Sequence, residues 1–279
     1  MHSSSSIALL TLVAAFVGCA GNVSGTAADA EAATTTSAVV VVERATDATE
    51  GSRAEGSARF VRVTAPASVD DALRTIGAAL ELPPRGTCAS VLSLVGRIAR
   101  GEPPVVELVD VGAVALEAAG VETRLVPRQL PDVTDVVSGV VYARAAEPAL
   151  LPVSARYIIH VAGGRDLGPF QVAASAPGDP SAVHIAGENE HGTLVATGST
   201  VDLAWATDTS DDVLYVDVRP SAVRCVFGNV GHAAISTIFF DDTGTLVVHR
   251  LHREPLRAPG IDSGEVRFDF ARAIAYIRP

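Results

Sequence analysis

Short runs of Val, Ile, Tyr and Phe recur along the chain from Arg59 onward, separated by Gly, Pro, Asp and Asn. Their spacing is often about 8–12 residues, which favours β-sandwiches or barrels over alternating strands and helices. In Val201–Trp205 and Val266–Phe270, large apolar residues alternate with smaller, polar or charged ones. A period of two predicts strands with one buried face and one solvent-facing face. The sequence therefore predicts a mainly β fold.

Individual strands follow from these runs, bounded by turn residues. They are predicted at residues 60–64, 105–109, 136–143, 156–161, 170–174, 183–186, 194–197, 201–206, 213–218, 222–227, 245–251 and 265–270. Helix signals are weak. Ser68, followed by two acidic residues and an apolar run, predicts the N-cap of one short helix, and residues 91–98 are a second candidate.

Composition divides the chain into segments. Residues 19–57 are rich in Ala, Thr, Ser, Gly and acidic residues and contain no aromatic residue, which predicts a disordered tether. The turn-rich stretch Ala176–Pro180 predicts a boundary between two β-sandwich-like modules at residues 58–177 and 178–279. The second half places Trp205 and Cys225 on strands separated by an acidic loop, which resembles immunoglobulin-like or fibronectin-type-III-like sandwiches. That resemblance implies architecture alone, since the fold serves many tasks.

The first 18 residues predict an export signal. A short polar start is followed by an apolar run at Ile7–Val17, which only Thr11 interrupts, and then by small residues. This is the layout of a secretory signal peptide. As a helix the run would reach about 16 Å, which is short for a permanent span of the roughly 30 Å bilayer core.

Phe16-Val17-Gly18-Cys19 resembles the lipobox of bacterial lipoproteins. The resemblance implies cleavage before Cys19, acylation of its thiol, and anchoring in the membrane by several acyl chains. Phe16 replaces the usual Leu, and the start carries no Lys or Arg. The alternative is an ordinary secretory signal that is cut nearby.

The overall charge limits the partners. The formal net charge is −11, and all 21 basic residues are Arg. Nucleic acids and anionic membrane surfaces select basic patches, so neither is an expected partner. The sequence predicts a bacterial cell-envelope location, at the outer membrane or on the periplasmic face. The predicted partners are the membrane, through lipid on Cys19, and an envelope protein or glycan.

Cys88 and Cys225 are the cysteines that remain after Cys19. An oxidising envelope permits a disulfide between them, and in the chain-entropy model closing so long a loop contributes roughly 4–5 kcal/mol. Alternation along its strand predicts that Cys225 points into the core. The alternative is two separate buried thiols.

Several polar groups are candidates for chemistry. Asp242-Thr243-Gly244 resembles the active-site triplet of aspartic proteases, but a hairpin turn explains it more simply. His184, Glu188, Glu190 and His191 have zinc-ligand side chains without a known zinc spacing, and Asp208, Asp211 and Asp212 suggest a calcium or solvent-facing loop. The run 249–254 puts His249 and Leu251 on one strand face and Arg250 and His252 on the other, which predicts a mostly exposed strand end that is a contact surface.

Other catalytic signatures do not occur in the sequence: it has no Gly-x-Ser-x-Gly, phosphate-binding loop, His-Glu-x-x-His or Cys-x-x-Cys. We therefore expect an envelope protein that binds or organises other components, without a cofactor, a metal or a catalytic residue. The alternatives are an envelope hydrolase with dispersed residues near Asp242 or the 184–191 loop, and a carbohydrate- or calcium-binding module.

Overall fold

The computed structural model describes residues 33–47, 51–95, 104–133, 136–189, 192–207 and 210–279. The prediction of a mainly β fold is confirmed. The strands are β1 (Thr34–Asp47), β2 (Gly51–Thr64), β3 (Thr87–Ser90), β4 (Val106–Leu108), β5 (Val114–Ala118), β6 (Val121–Arg124), β7 (Val126–Val133), β8 (Val137–Ala146), β9 (Arg156–Val161), β10 (Phe170–Ser175), β11 (His184–Ile185), β12 (Thr193–Val195), β13 (Thr200–Ala204), β14 (Val213–Arg219), β15 (Val223–Phe227), β16 (His232–Ser236), β17 (Thr243–Pro255) and β18 (Ser263–Ile277). The helices are α1 (Val69–Thr75) and α2 (Val91–Val95).

One large sheet runs through the whole described unit. Its strand order is β3-β15-β14-β17-β18-β1-β2-β4-β8-β7, and β12 also pairs with β18. The long strands β17, β18, β1 and β2 form its centre, where β18 and β1 are parallel and their neighbours antiparallel. A four-stranded sheet (β10-β9-β5-β6) and a three-stranded sheet (β11-β13-β16) are separate from it.

Two hydrophobic cores lie on one face of the large sheet. The first joins Phe60, Phe268 and Phe270 of the large sheet to Leu116 and Ile159 of the four-stranded sheet. The second joins residues of β14, β17 and β18 to residues of the three-stranded sheet, among them Val216, Val248, Ile274, Val201 and Leu203. Each small sheet therefore packs on the large one as a β-sandwich, and β18 contributes residues to both cores.

The predicted tether is corrected for residues 34–47 and 51–57, which lie in β1 and β2. Ala38–Val42 are buried on both faces of the sheet, so they form a continuous apolar run instead of an alternating one. In β2 the small residues serve close packing, since a Cβ on Gly56 would lie 2.7 Å from Leu116 Cδ1. The rest of the predicted tether, with the signal peptide and Cys19, lies outside the described residues.

The predicted boundary at residue 177 is also wrong. Residues 33–279 form one compact unit, and the large sheet contains strands from both predicted modules. The reason is long-range pairing: β1 pairs with β18 over Ser37–Asp47, and β3 pairs with β15. The turn signal at residues 176–180 is real, but it connects two sandwiches that share a sheet.

The short helix is confirmed at α1, where the Ser68 hydroxyl accepts a hydrogen bond from the amide of Asp71. The helix predicted at 91–98 is present over Val91–Val95. Within the described residues, no helix is long and apolar enough to cross a membrane.

Candidate functional site

The polar face of the large sheet is the face opposite the two cores, and it carries a chain of buried polar side chains. Tyr215 on β14 lies beside His249 on β17, and Asp269 on β18 is their neighbour. The Tyr215 hydroxyl donates to Asp269 Oδ2 at 2.5 Å, and His249 Nδ1 lies 2.9 Å from Asp269 Oδ1. The Tyr215 and His249 rings stack with centroids 4.1 Å apart.

The chain continues to a buried ion pair on the other side of His249. His249 Nε2 lies 3.8 Å from Asp217 Oδ2 and has no hydrogen-bond partner, although it is buried. Arg224 on β15 donates to both oxygens of Asp217, at 2.7 and 2.8 Å. Its guanidinium also lies 4.8 Å from the centroid of the Tyr215 ring, which is cation–π geometry. Tyr215, Asp269, His249, Asp217 and Arg224 are called the acid–base cluster below.

Burial and hydrogen bonding set the protonation of the cluster. Burial acts to raise the pKa of Asp269, but the hydrogen bonds from His249 and Tyr215 outweigh it and hold that pKa below its ordinary value. Burial and the adjacent Asp269 charge raise the pKa of Tyr215 well above its ordinary value. Asp269 is therefore ionised and Tyr215 neutral at physiological pH.

The segment that follows α1 and ends with β3 packs on part of the acid–base cluster. Leu80 and Leu82 pack on Tyr215 and its apolar neighbours, Val226 and Leu251. Arg224 Nη1 donates to the carbonyl of Glu81 at 2.9 Å, and Arg267 Nη1 donates to the carbonyl of Ala78 at 3.0 Å. We call residues 76–90 the strap. Because of it, the charged face predicted for Val266–Phe270 is largely buried and not solvent-facing: Arg267 is only 6% exposed.

A trough adjoins the acid–base cluster and shares His249 and Asp269 with it. Asp269, Glu43 and Glu55 are register neighbours across β18, β1 and β2, so three carboxylates form one row. The next row contains Ala271 and Ala45, whose small side chains leave a cavity of about 270 Å³. Besides these, the cavity is lined by Arg44, Arg53, Ala54, Ala145 and His249.

The carboxylate row is electrostatically strained. Partial desolvation by the surrounding sheet, the charge of Asp269 and the charge of Glu55 raise the pKa of Glu43 above its ordinary value, and these effects outweigh the opposing charges of Arg59 and Arg267. Like charges directly opposite on neighbouring strands destabilise a sheet. The Glu43 and Glu55 side chains are both exposed, so a cationic group from solution can approach the row.

A second charged cluster lies on the other face of β17 and is called the junction cluster. Asp212 accepts hydrogen bonds from Arg250 Nε at 2.6 Å and lies 2.6 Å from His252 Nδ1. His252 Nε2 is 3.3 Å from Glu254, which in turn accepts from the amide of Ser175. The run 249–254 is therefore a central strand segment with paired side chains, and the predicted exposed strand end is wrong.

The remaining candidate residues do not converge on one site. Asp242 precedes β17, and Gly244 lies inside that strand instead of in a hairpin turn. A Cβ on Gly244 would overlap the Arg219 carbonyl and the Tyr276 hydroxyl, so close packing accounts for this glycine. His184 is exposed on β11, and Glu188 forms an ion pair with Arg272.

The predicted metal ligands are not brought together in the described part of the chain. Glu190, His191 and Asp208 lie outside the described residues. Asp212 belongs to the junction cluster instead of a solvent-facing or calcium loop. Among the residues that the structure describes, no group of three or more His, Cys, Asp or Glu side chains is placed to hold a metal ion.

Cys88 and Cys225 lie opposite each other on β3 and β15 and are joined by a disulfide. Cys225 is fully buried in the second core, as its strand alternation predicts. The bond attaches the C-terminal end of the strap to the edge of the large sheet.

Sequence reasoning missed the acid–base cluster and the trough. The residues of the cluster come from β14, β15, β17 and β18, and those of the trough also come from β1, β2 and β8. Only the register of these strands brings them together. The one local signal in the sequence is the alternation of charged residues in Val266–Phe270, which predicts a solvent-facing side of the strand.

Comparisons with known proteins give little more. No protein-family model matches the chain, and no curated protein matches it. Among solved structures, the chain has a weak likeness to the Fcho1 Mu homology domain of Danio rerio with bound Eps15 peptide. The identity is 10%, the TM-score is 0.22, and the match covers 88% of this chain and 97% of that one. A TM-score this low does not indicate a shared fold.

Proposed function

We propose that this chain is an exported, lipid-anchored envelope protein that binds cationic side chains of another envelope component in the trough. The observation that carries the binding site is the row of Asp269, Glu43 and Glu55 beside an open cavity with a small-residue floor. The raised pKa of Glu43 means that its ionised form lacks full compensation within the protein. A bound ammonium or guanidinium group would supply that compensation.

The surroundings of the trough suit binding by a rigid surface. At one end, Asp269 is held by Tyr215 and His249, so its position is fixed before a ligand arrives. At the other end, Glu43 and Glu55 are exposed and set the charge of the rim. Pre-organised charge reduces the ordering cost of association and gives the site specificity for cations.

Export and anchoring rest on the N-terminal sequence and gain support from the disulfide, because such bonds persist in oxidising compartments. The test is metabolic labelling of cells with a palmitate analogue, comparing the natural chain with Cys19→Ala. The proposal predicts label on the natural chain and none on the variant. Equal labelling of both, or of neither, would contradict the lipid anchor.

The binding site is tested with fluorescein-labelled pentalysine and fluorescence anisotropy. The double variant Glu43→Gln/Glu55→Gln removes two exposed charges from the trough. Each exposed pair contributes up to about 1 kcal/mol, so the dissociation constant should rise about 3- to 30-fold.

The matched control is Glu117→Gln/Glu122→Gln, which makes the same change in net charge on the four-stranded sheet, where these residues pair with His160 and Arg124. Its affinity for the peptide should stay close to that of the natural chain. If both double variants weaken binding equally, attraction to the overall charge explains the binding and the trough is not the site.

The carbohydrate-binding alternative lacks its usual stacking surface. None of the aromatic side chains in the described residues is exposed. Sugar-binding sites on sheets rely on exposed rings, so the trough is the better supported site.

A further inference from the structure

The strap is attached to the protein at its two ends in different ways. Just before its N-terminal end, α1 packs on β2 in a small apolar cluster that contains Ala72, Val61 and Val63. At its C-terminal end, the four-residue strand β3 is the outermost strand of the large sheet. Cys88 of β3 is bonded to Cys225, which lies 137 residues further along the chain.

Between these ends, few contacts hold the strap to the sheet. Arg267 and Arg224 donate to the carbonyls of Ala78 and Glu81, and the Gly86 amide donates to the carbonyl of Val226 at 2.7 Å. Leu80 and Leu82 supply the apolar contact. Edge strands this short open easily, and a crosslink that closes a long loop restricts such opening strongly.

Tyr215 and Arg224, which the strap contacts, lie against two further members of the cluster that are largely buried. The His249 side chain is 12% exposed and Asp217 is 9% exposed. His249 Nε2 is buried without a hydrogen-bond partner, which is an unfavourable state for an imidazole nitrogen in a closed structure. Opening the strap would give this nitrogen access to water or to a ligand.

We propose that the strap is a disulfide-latched cover over the acid–base cluster. With the bond intact, β3 is held on β15 and His249 Nε2 stays covered, although another part of the ring lines the trough. A dithiol reductant opens the latch by thiol–disulfide exchange: the Cys88–Cys225 bond breaks, each cysteine sulfur takes one electron and one proton, and the reductant becomes a disulfide. The C-terminal half of the strap then lifts, and His249 Nε2 becomes accessible.

The first test is hydrogen exchange with mass spectrometry on the natural chain, with and without dithiothreitol. Reduction should speed amide exchange in residues 80–90 by at least about tenfold, which corresponds to ~1.4 kcal/mol in the opening free energy. Amides of β9, which lies in the four-stranded sheet, serve as the internal control, and their exchange rates should not change. Unchanged protection of residues 80–90 would overturn the proposal.

The second test is carbethoxylation of histidines by diethyl pyrocarbonate in the variant Cys88→Ser/Cys225→Ser, which avoids free thiols. Labelling of His249 should rise about tenfold over the natural chain, in line with the exchange result. His232, which is exposed, and His252, which lies on the other face of β17, are the references and should not change. If His249 stays unlabelled while residues 80–90 exchange, the strap does not control access to the cluster. If β9 and every histidine change together, the bond supports the whole fold and is not a latch.

Discussion

Replacing Asp212 with Asn removes the charge at the centre of the junction cluster while keeping the shape of the side chain. Asp212 is 6% exposed and holds both Arg250 and His252 at 2.6 Å. The variant leaves these two cationic groups facing a neutral amide. Their side chains are 21% and 20% exposed, so water can reach them in part.

The size of the expected loss in unfolding free energy follows from these contacts. Removing one partner of a buried ion pair costs about 3–5 kcal/mol, and partial solvation of Arg250 and His252 puts the expected loss near 3 kcal/mol. For a unit of this size, each kcal/mol shifts the melting temperature by about 2–4 °C, so a fall of about 6–12 °C is expected. Urea and thermal unfolding measure both quantities.

The loss should depend on pH in a defined direction. The hydrogen bond to Asp212 raises the pKa of His252 above its ordinary 6.5, and burial opposes this only in part. Burial acts to raise the pKa of Asp212, but hydrogen bonds from His252 and Arg250 hold it below its ordinary 3.8. The contribution of His252 is complete below its ordinary pKa and is lost as pH rises through the raised value. That of Asp212 is complete above its ordinary pKa and is lost as pH falls through the lowered value.

The difference in unfolding free energy between the natural chain and Asp212→Asn should therefore be largest near pH 5 and smaller at pH 8. Asp202→Asn, which changes an exposed aspartate on β13, is the control and should shift stability by less than about 0.5 kcal/mol. A loss below about 1 kcal/mol, or one that grows from pH 5 to pH 8, would refute the reasoning.

Two further predictions concern packing and capping. Gly244→Ala should destabilise by about 1–3 kcal/mol, because its Cβ would overlap the Arg219 carbonyl and the Tyr276 hydroxyl; Gly168→Ala, with open space around it, should change stability by less than about 0.5 kcal/mol in the same urea titration. Ser68→Ala should cost about 1 kcal/mol by removing the cap of α1, whereas Ser68→Asp should keep most of the stability. Equal losses for the two members of either pair would contradict the assigned roles.

Much of the local structure could be predicted from the sequence, because it depends on neighbouring residues. The strand at Arg156–Val161 occurs with the predicted bounds, and the Ser68 cap starts a helix as its sequence indicates. Inward placement of Cys225 follows from alternation along β15. These features are set by side-chain period and capping chemistry within a few residues.

The missed features depend on contacts between distant segments. Ala38, Val40 and Val42 are buried in the first core together with residues of the distant four-stranded sheet, and Gly56 is small because Leu116 lies above it. The charge of Arg267 is covered by the strap, which lies about 190 residues earlier in the chain, as the contact of Arg267 with Ala78 shows. Composition and periodicity carry no information on such pairings. They therefore predict a tether and a module boundary where the structure has paired strands of one sheet.

The most direct test of the proposed binding site measures stability and binding in the single variant Glu43→Gln. Because the pKa of Glu43 is raised in the folded protein, the folded state holds more protons between the ordinary and the raised value, and stability falls there as pH rises. Removing the charge should therefore stabilise the protein by about 0.2–1 kcal/mol at pH 8, with little effect near pH 4.

The same variant should bind pentalysine about two- to fivefold more weakly, since one exposed pair is lost. The proposed function predicts a gain in stability together with a loss of binding, because the Glu43 carboxylate would then destabilise the fold and still contribute to peptide binding. A loss of stability with unchanged peptide binding would show that Glu43 supports the fold and would contradict the trough as the binding site.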